Sequence, residues 1–220
     1  MNKIVKDACI LFAITLVAGI VLGAVYNVTK GPIAEQNEKA KQAAYKEVMA
    51  DAESFEAVEG EKYSEENIAS LVSQLENTDE DFSADEVTDI VAGVKDGKII
   101  GFVVTVVAGD GYAGDIKFSV GVSSDGTYTG TSILSIGETA GLGMRVKTDP
   151  SFLSQFEGAE VDKFTVVKDG SGSSSEDKVD AISGSTVTSK AVTKGINTAL
   201  AVYRKLISEN VKTVGGASVE

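Results

Sequence analysis

Histidine is absent from this 220-residue chain, and cysteine occurs once, at Cys9. Without imidazole there is no ordinary zinc set, no histidine-ligated haem and no cysteine–histidine nucleophile pair. One thiol cannot hold a four-cysteine iron–sulfur cluster. Cys9 stands at the mouth of an apolar run, where a thiol packs as a small hydrophobe, and it precedes that run, unlike a lipoprotein cysteine. Positive charge is scarce as well: 20 Lys and Arg face 33 Asp and Glu, a formal net charge of −13. Nearly all of that excess falls in 51–86, where thirteen Asp or Glu stand against the single Lys62. A chain this acidic lacks the electrostatic footprint for phosphate backbones, which excludes nucleic acid as a partner. No pair of carboxylates stands at a spacing suited to acid–base work on a substrate.

What is present is ordinary for a folded chain, at 43% hydrophobic and 24% charged residues. The length suits one medium domain plus an anchor. From 8 to 25 every residue is apolar or Gly except Thr15, eighteen residues in all. At ~1.5 Å per residue such a helix spans most of a bilayer core. Lys3 and Lys6 precede the run and Asn27, Lys30, Gly31 and Pro32 follow it, the pattern of an uncleaved signal-anchor. Lys30, Lys39 and Lys41 after the run offset the two lysines before it, so the positive-inside rule does not fix orientation. The expected arrangement is a single-pass anchor in the cell membrane with the domain on the extracytoplasmic side.

The remainder divides by texture into a helical stalk and acidic helical region at 30–86, a domain at 87–210 and a tail at 211–220, behind the anchor at 1–29. Residues 33–58 lack Gly and favour a helix continuing away from the membrane after Pro32. Ser64-Glu65-Glu66-Asn67 reads as a helix start before Ile68, Leu71, Val72 and Leu75 at helical spacing. Two hairpins follow: 90–95 and 98–108 joined by Asp96-Gly97, then 116–123 and 128–136 joined through Asp125-Gly126. They imply an antiparallel sheet of at least four strands, and 164–168 suggests another. Residues 169–177 read as a surface loop of Gly, Ser and acids. From 185 to 208, Val192, Ile196, Ala199, Leu200, Tyr203, Leu206 and Ile207 define an apolar helix face that would cover the sheet. The fold class is therefore α+β: an N-terminal transmembrane helix, then an antiparallel sheet covered by helices.

Chemistry concentrates just before the last helix, in Asp180-Ala181-Ile182-Ser183-Gly184-Ser185-Thr186-Val187-Thr188-Ser189. The first backbone N–H groups of a helix lack internal partners and sit at the positive end of its dipole, so the segment suits an anion such as phosphate. A plainer use is available, in which Ser183 or Ser185 caps the helix and the other hydroxyls face water. A second stretch, Glu138-Thr139-Ala140-Gly141-Leu142-Gly143, is a Gly-rich turn after a strand, with Leu142 and Met144 as apolar contacts. A third is Gly111-Tyr112-Ala113-Gly114.

Asp180-x-x-Ser183-Gly184-Ser185-Thr186 resembles the flavinylation motif of the FMN-binding domain family: Asp, two variable residues, Ser or Thr, Gly, Ala, then Thr or Ser. In that family a flavin transferase joins FMN through its phosphate to the last hydroxyl of the pattern, which the resemblance places at Thr186. Ser185 stands where Ala is usual and offers a competing hydroxyl, and Thr188 is the fallback acceptor. The Glu138 to Gly143 stretch is similar to a segment that lies against the isoalloxazine in such flavoproteins, with Ala140 in place of Pro. Gly111 to Gly114 is similar to a Gly-Tyr-Gly-Gly segment. The resemblance thus implies covalent FMN, with Asp180, Ser183, Gly184, Ser185, Thr186, Glu138, Thr139, Gly141, Leu142, Gly143 and Tyr112 as cofactor-binding residues, no catalytic residue and no metal. Lys190 and Lys194 lie within two turns of the helix start. Length and a single anchor resemble G subunits of Rnf, the ion-translocating ferredoxin:NAD oxidoreductase, more than the longer C subunit of the sodium-pumping NADH:quinone oxidoreductase. That resemblance implies an electron-relay subunit whose partners are the membrane, a flavin transferase and the other subunits. A stand-alone anchored flavoprotein and a cofactor-free adhesion module remain the alternatives.

Overall fold

A computed structural model of the chain describes residues 3–64, 66–75 and 81–219. They fall into two compact units, 1–42 and 43–220. Helix α1 (Lys3–Val48) supplies the whole of the first unit that is described. It contains the apolar run, whose side chains are exposed, and is long and apolar enough to cross a membrane. Polar side chains along it bond to its own backbone: Thr15 Oγ1 reaches Leu11 O at 3.1 Å, Asn27 Nδ2 reaches Gly23 O at 3.1 Å and Thr29 Oγ1 reaches Val25 O at 2.9 Å. Hydrocarbon tolerates such groups for that reason. The helix continues through Pro32, although Pro has no N–H to give to Val28.

In the second unit the last turn of α1 buries Ala44, Tyr45 and Val48 with Met49, Ala52 and Val103 on one face of a sheet. The helix ends at Val48, short of the expected 58, and Ser54–Ala57 form strand β1 instead. Four longer strands follow: β2 (Asp85–Lys95), β3 (Lys98–Ala108), β4 (Ile116–Ser123) and β5 (Tyr128–Ile136). All neighbours are antiparallel, in the order β1-β2-β3-β4-β5. Both expected hairpins form. At the first turn Asp96 and Gly97 have φ of 51° and 75°, the left-handed pair that matches strand twist.

The acidic region is only partly helical. Of its expected helix start, Glu65 lies outside the described residues; downstream, Ile68–Gln74 is a 3₁₀-helix that buries Ile68 and Leu71. After β5 come the short helices α2 (Arg145–Thr148) and α3 (Pro150–Leu153). The strand expected near 164–168 is β6 (Thr165–Val167), but it does not join the main sheet. It pairs in parallel with β7 (Lys178–Asp180) as a separate two-stranded sheet. Residues 169–177 connect the two and are mostly exposed, with Gly172 buried. The tail is tied in: Thr213 bridges Val58, and Val211, Thr213 and Ala217 are buried.

Helix α4 (Thr186–Ser208) lies over the sheet face opposite the one that buries Tyr45 and Val48, and buries Val192, Ile196, Ala199, Leu200, Tyr203 and Leu206 against Phe102, Val104, Phe118 and Val120, as its periodicity predicts. Asn197 joins α4 to the strand region: its Oδ1 accepts from Phe164 N at 2.8 Å and its Nδ2 donates to Phe164 O at 3.0 Å. Phe164 in turn packs edge-on to Phe156 at 4.8 Å between ring centroids. Asn197→Ala leaves a buried N–H and a buried C=O unmade, at about 1–3 kcal/mol each. Urea unfolding should therefore show a loss of about 2–6 kcal/mol; a loss below that span means the clip is dispensable.

Candidate functional site

Antiparallel pairing brings the end of β3, the start of β4 and the end of β5 side by side, with Ala108 opposite Ile116 and Ile116 opposite Ile136. Loops 109–115 and 137–144 therefore leave the sheet from one end. The turn from β7 into α4 meets them there. Leu142 Cδ2 lies 3.4 Å from the place a Cβ on Gly184 would take, and Gly143 is hemmed between Glu138 and Thr188. All three sequence motifs thus converge.

Glu138 is the knot between the loops. It is 5% exposed, and its Oε1 accepts the backbone N–H of Tyr112 at 2.7 Å and of Ala113 at 3.3 Å. Thr139 O accepts Leu142 N at 3.1 Å and Met144 N at 3.2 Å, closing the second loop on itself. Thr139, Gly141 and Leu142 are exposed and Gly143 is buried. Tyr112 is 73% exposed, so it does not pack in the core.

The helix start is built from within the hydroxyl-rich segment itself. Gly184 takes φ 78°, and Ser185 N donates to Ile182 O at 2.9 Å. Ser189 Oγ accepts from Ile182 N at 3.0 Å and donates to Ser185 O at 3.0 Å, which locks the turn. Ser185 occupies the N-cap position, yet its side chain makes no cap bond. Its hydroxyl is buried without a hydrogen-bond partner. Simple capping, the plainer use of these serines, is therefore not what the turn does. The N–H groups of Thr186, Val187 and Thr188 have no protein acceptor among the described residues. Of the hydroxyls, Ser183 is exposed, Thr186 half-buried, and Ser185 and Thr188 buried.

Two expected participants face elsewhere. Asp180 Oδ2 accepts Gly172 N at 3.2 Å, while Gln155 grips the Asp180 backbone, accepting its N–H at 2.7 Å and donating to its carbonyl at 3.2 Å. Asp180 thus braces the strand that leads into the turn. Lys194 pairs with Asp110 at 2.6 Å. Burial favours its neutral form, but the Asp110 hydrogen bond and the charges of Asp85, Asp110 and Asp81 outweigh that and raise its pKa. Lys190 is exposed and has no ion pair among the described residues. Gln155 belonged to no motif, and Ser189 closed the hydroxyl-rich segment without an assigned role, its i+4 spacing from Ser185 being the signal that points to it.

The Glu138 loop is anchored downstream by Asp149, which accepts from Ser151 N at 3.1 Å, Ser151 Oγ at 2.6 Å and Arg145 Nη2 at 2.8 Å. The Ser151 hydroxyl first, and then the Arg145 guanidinium, hold its carboxyl down to about 2. An unfolded Asp titrates near ~3.9. Because the folded value is the lower one, the stabilisation is complete above about pH 4 and is lost as pH falls towards about 2. Asp149→Asn should flatten the acid limb of a plot of urea midpoint against pH; an unchanged limb would show that Asp149 contributes nothing.

Residues 111–201 match the FMN-binding domain family, and residues 1–48 match the RnfG N-terminal region. Fold and site thus define a protein with an FMN-binding domain behind one candidate membrane span. The G subunit of the Na(+)-translocating ferredoxin:NAD(+) oxidoreductase complex of Acetobacterium woodii is 35% identical over 201 residues, covering 91% of this chain and 92% of that one. The G subunit of the proton-translocating ferredoxin:NAD(+) oxidoreductase complex of Clostridium ljungdahlii is 33% identical over 202 residues, covering 89% and 92%. The chain belongs to this family of G subunits of ion-translocating oxidoreductase complexes. The crystal structure of Shewanella oneidensis NqrC is 28% identical, with a TM-score of 0.43 over 54% of this chain and 60% of that one.

Proposed function

We propose that this chain is the membrane-anchored electron-relay subunit of an ion-translocating ferredoxin:NAD(+) oxidoreductase complex, with one FMN joined through its phosphate to Thr186. The observation that carries the attachment is the contrast in access at the helix start. Thr186 is half-buried beside three N–H groups without protein acceptors among the described residues, whereas Ser185 and Thr188 are buried. Those N–H groups suit a phosphate diester, which needs no basic cluster there. The unpartnered hydroxyl of Ser185 supports the same fit, since a buried polar atom at an anion site is satisfied when the anion is present.

Around the attachment point, Tyr112, Leu142 and Val187 present exposed apolar surface from three different segments. Outside α1, the only other exposed large hydrophobic residue among those described is Val214. A flat ring system fits such a collar, with Glu138, Thr139, Gly141 and Gly143 shaping the loop beneath it. FMN, when bound, supplies one- or two-electron transfer. The chain's own work is to hold, orient and keep one edge accessible: Glu138 fixes both loops through the Tyr112 and Ala113 amides, and α4 presents the hydroxyl. Partners on this reading are the other subunits of the complex, with a flavin transferase for maturation and the domain on the extracytoplasmic side of the membrane.

Intact mass of the chain produced together with its flavin transferase tests the cofactor: one added FMN, mapped to the peptide holding Thr186, is the expected outcome. An unmodified mass under those conditions would sink it. For the complex, mild-detergent purification should bring down further subunits and ferredoxin:NAD activity; isolation of the chain alone, without that activity, overturns the assignment.

A further inference from the structure

The two edges of the five-stranded sheet end differently. At the β1 edge the tail pairs with the end of the strand: Val214 N donates to Ala57 O at 3.0 Å and Glu59 N to Lys212 O at 2.7 Å. At the β5 edge only the first residue is covered, where Tyr128 N donates to Ala159 O at 2.9 Å and Tyr128 O accepts Gly158 N at 3.0 Å. The hairpin fixes which groups beyond Tyr128 face outward. Ser123 N turns to Thr127 O and Ser124 N to Ile100 O, so Ser123 faces β5, and bonding directions alternate back along β4. Gly121 and Ser119 therefore face β5 too, bonding Gly130 and Ser132, which stand opposite them. Thr131 and Ile133 are left with N–H and C=O directed away from β4, without a backbone partner on that side among the described residues. A backbone row of this kind is a template for another strand. Edge strands usually repel one with charge or proline, but Tyr128–Ile136 has neither. Register shifts beside Gly121 and Lys117 bracket 130–133 and leave that stretch straight.

We propose that β5 accepts an extended segment of another subunit as a further strand of this sheet. The inference rests on the reading of the chain as one subunit of an oxidoreductase complex. The open groups themselves select the occupant: donors and acceptors repeating at every second residue are matched by an extended polypeptide backbone. Charge selects between a foreign segment and a second copy. Each copy carries a formal net charge of −13, so pairing two of them edge to edge brings like charges together. The segment therefore comes from a different chain, carries no acidic residues, and sets β-branched or hydroxyl side chains beside Thr131 and Ile133. Its position has a consequence for the site. Strand β5 ends at Ile136 and leads through Gly137 into Glu138, so an added strand runs up to the loop that Glu138 ties to Tyr112 and Ala113. Strand addition thereby seats another subunit next to the proposed flavin position.

Amide hydrogen exchange, read residue by residue on the full chain alone and on the complex purified in mild detergent, tests it. In the chain alone Gly130 and Ser132 should exchange slowly and Thr131 and Ile133 quickly. In the complex Thr131 and Ile133 should slow by about tenfold or more while Gly130 and Ser132 change little. Thr131→Pro removes an N–H that the sheet does not use, and Gly130 before it has no Cβ to meet the ring, so the domain should fold. That chain should load flavin as the unaltered one does, yet lose the other subunits on purification. Ser135→Lys, at an exposed position, adds a charge to the edge and should act the same way. An intact complex in which Thr131 and Ile133 still exchange quickly, or full recovery of the other subunits with both variants, overturns this proposal alone. Protection that appears in a dimer of the isolated chain assigns the edge to a second copy and overturns it too. A chain that purifies without other subunits overturns the complex assignment, and this proposal with it.

Discussion

Thr186→Ala, produced with the flavin transferase, should emerge colourless, with the mass of the bare polypeptide and no flavin absorbance. The loss is expected to be complete because no neighbouring hydroxyl can take over. Ser185 and Thr188 sit beside Thr186 in sequence, but both are buried, and Ser189 spends its hydroxyl on Ile182 N and Ser185 O. Ser183 is exposed but lies before Gly184, whose φ of 78° turns the chain, so it precedes the helix start and its open N–H groups. Thr186→Ser keeps the hydroxyl and should keep the flavin. Ser185→Ala removes a buried hydroxyl with no protein partner, so the flavin-free chain should be equally or more stable, while the loaded chain keeps its flavin on Thr186 but loses the stability that the phosphate contact adds. Flavin recovered on a peptide of the Thr186→Ala chain would show that access at the helix start does not select the acceptor.

Gly143→Ala should cost stability and flavin content together. A Cβ at Gly143 would stand 2.5 Å from Glu138 Oε2 and 2.6 Å from Thr188 Oγ1, distances real Cβ atoms do not show. Neither neighbour yields freely: Glu138 holds the Tyr112 and Ala113 amides, and Thr188 is fixed in the first turn of α4. The methyl group therefore pushes the Glu138 loop away from the helix start, with an overpacking cost of about 1–3 kcal/mol in urea unfolding. The flavin-to-protein ratio should fall as well, and added flavin should absorb at a shifted wavelength. Gly141→Ala is the control. Gly141 has a φ of 76° but open space around it, so alanine there carries backbone strain of about 1–2 kcal/mol without dislodging Glu138. A Gly143→Ala chain with unchanged stability and flavin content would show that the close approach is unimportant.

The hairpins were legible because Asp-Gly turns and alternating apolar residues are local signals, and local signals survive into the structure. The last helix was legible for the same reason. Strand β1 was not: Ser54-Phe55-Glu56-Ala57 lies in a Gly-free, helix-favouring stretch, and only its pairing with β2 makes it extended. The parallel pair of β6 and β7 was hidden too, since three-residue strands carry no period and their partner choice is non-local. At the site, the helix start was visible as an anion-friendly hydroxyl cluster. That Glu138 would tie loop 109–115 to loop 137–144 was not, because Tyr112 and Ala113 contribute backbone amides, which every residue but proline possesses. Gln155, which holds Asp180 from a distant helix end, belonged to no motif and left no trace in the sequence.

The apolar collar of Tyr112, Leu142 and Val187 has a colloidal consequence. On the proposed reading, before the flavin is joined these exposed side chains are sticky points on an otherwise strongly anionic surface. A chain without its ring system should scatter more light and bind hydrophobic dyes, and loading should suppress both. Cofactor attachment would then double as a solubility step, and a cell could discriminate finished from unfinished subunits by stickiness alone.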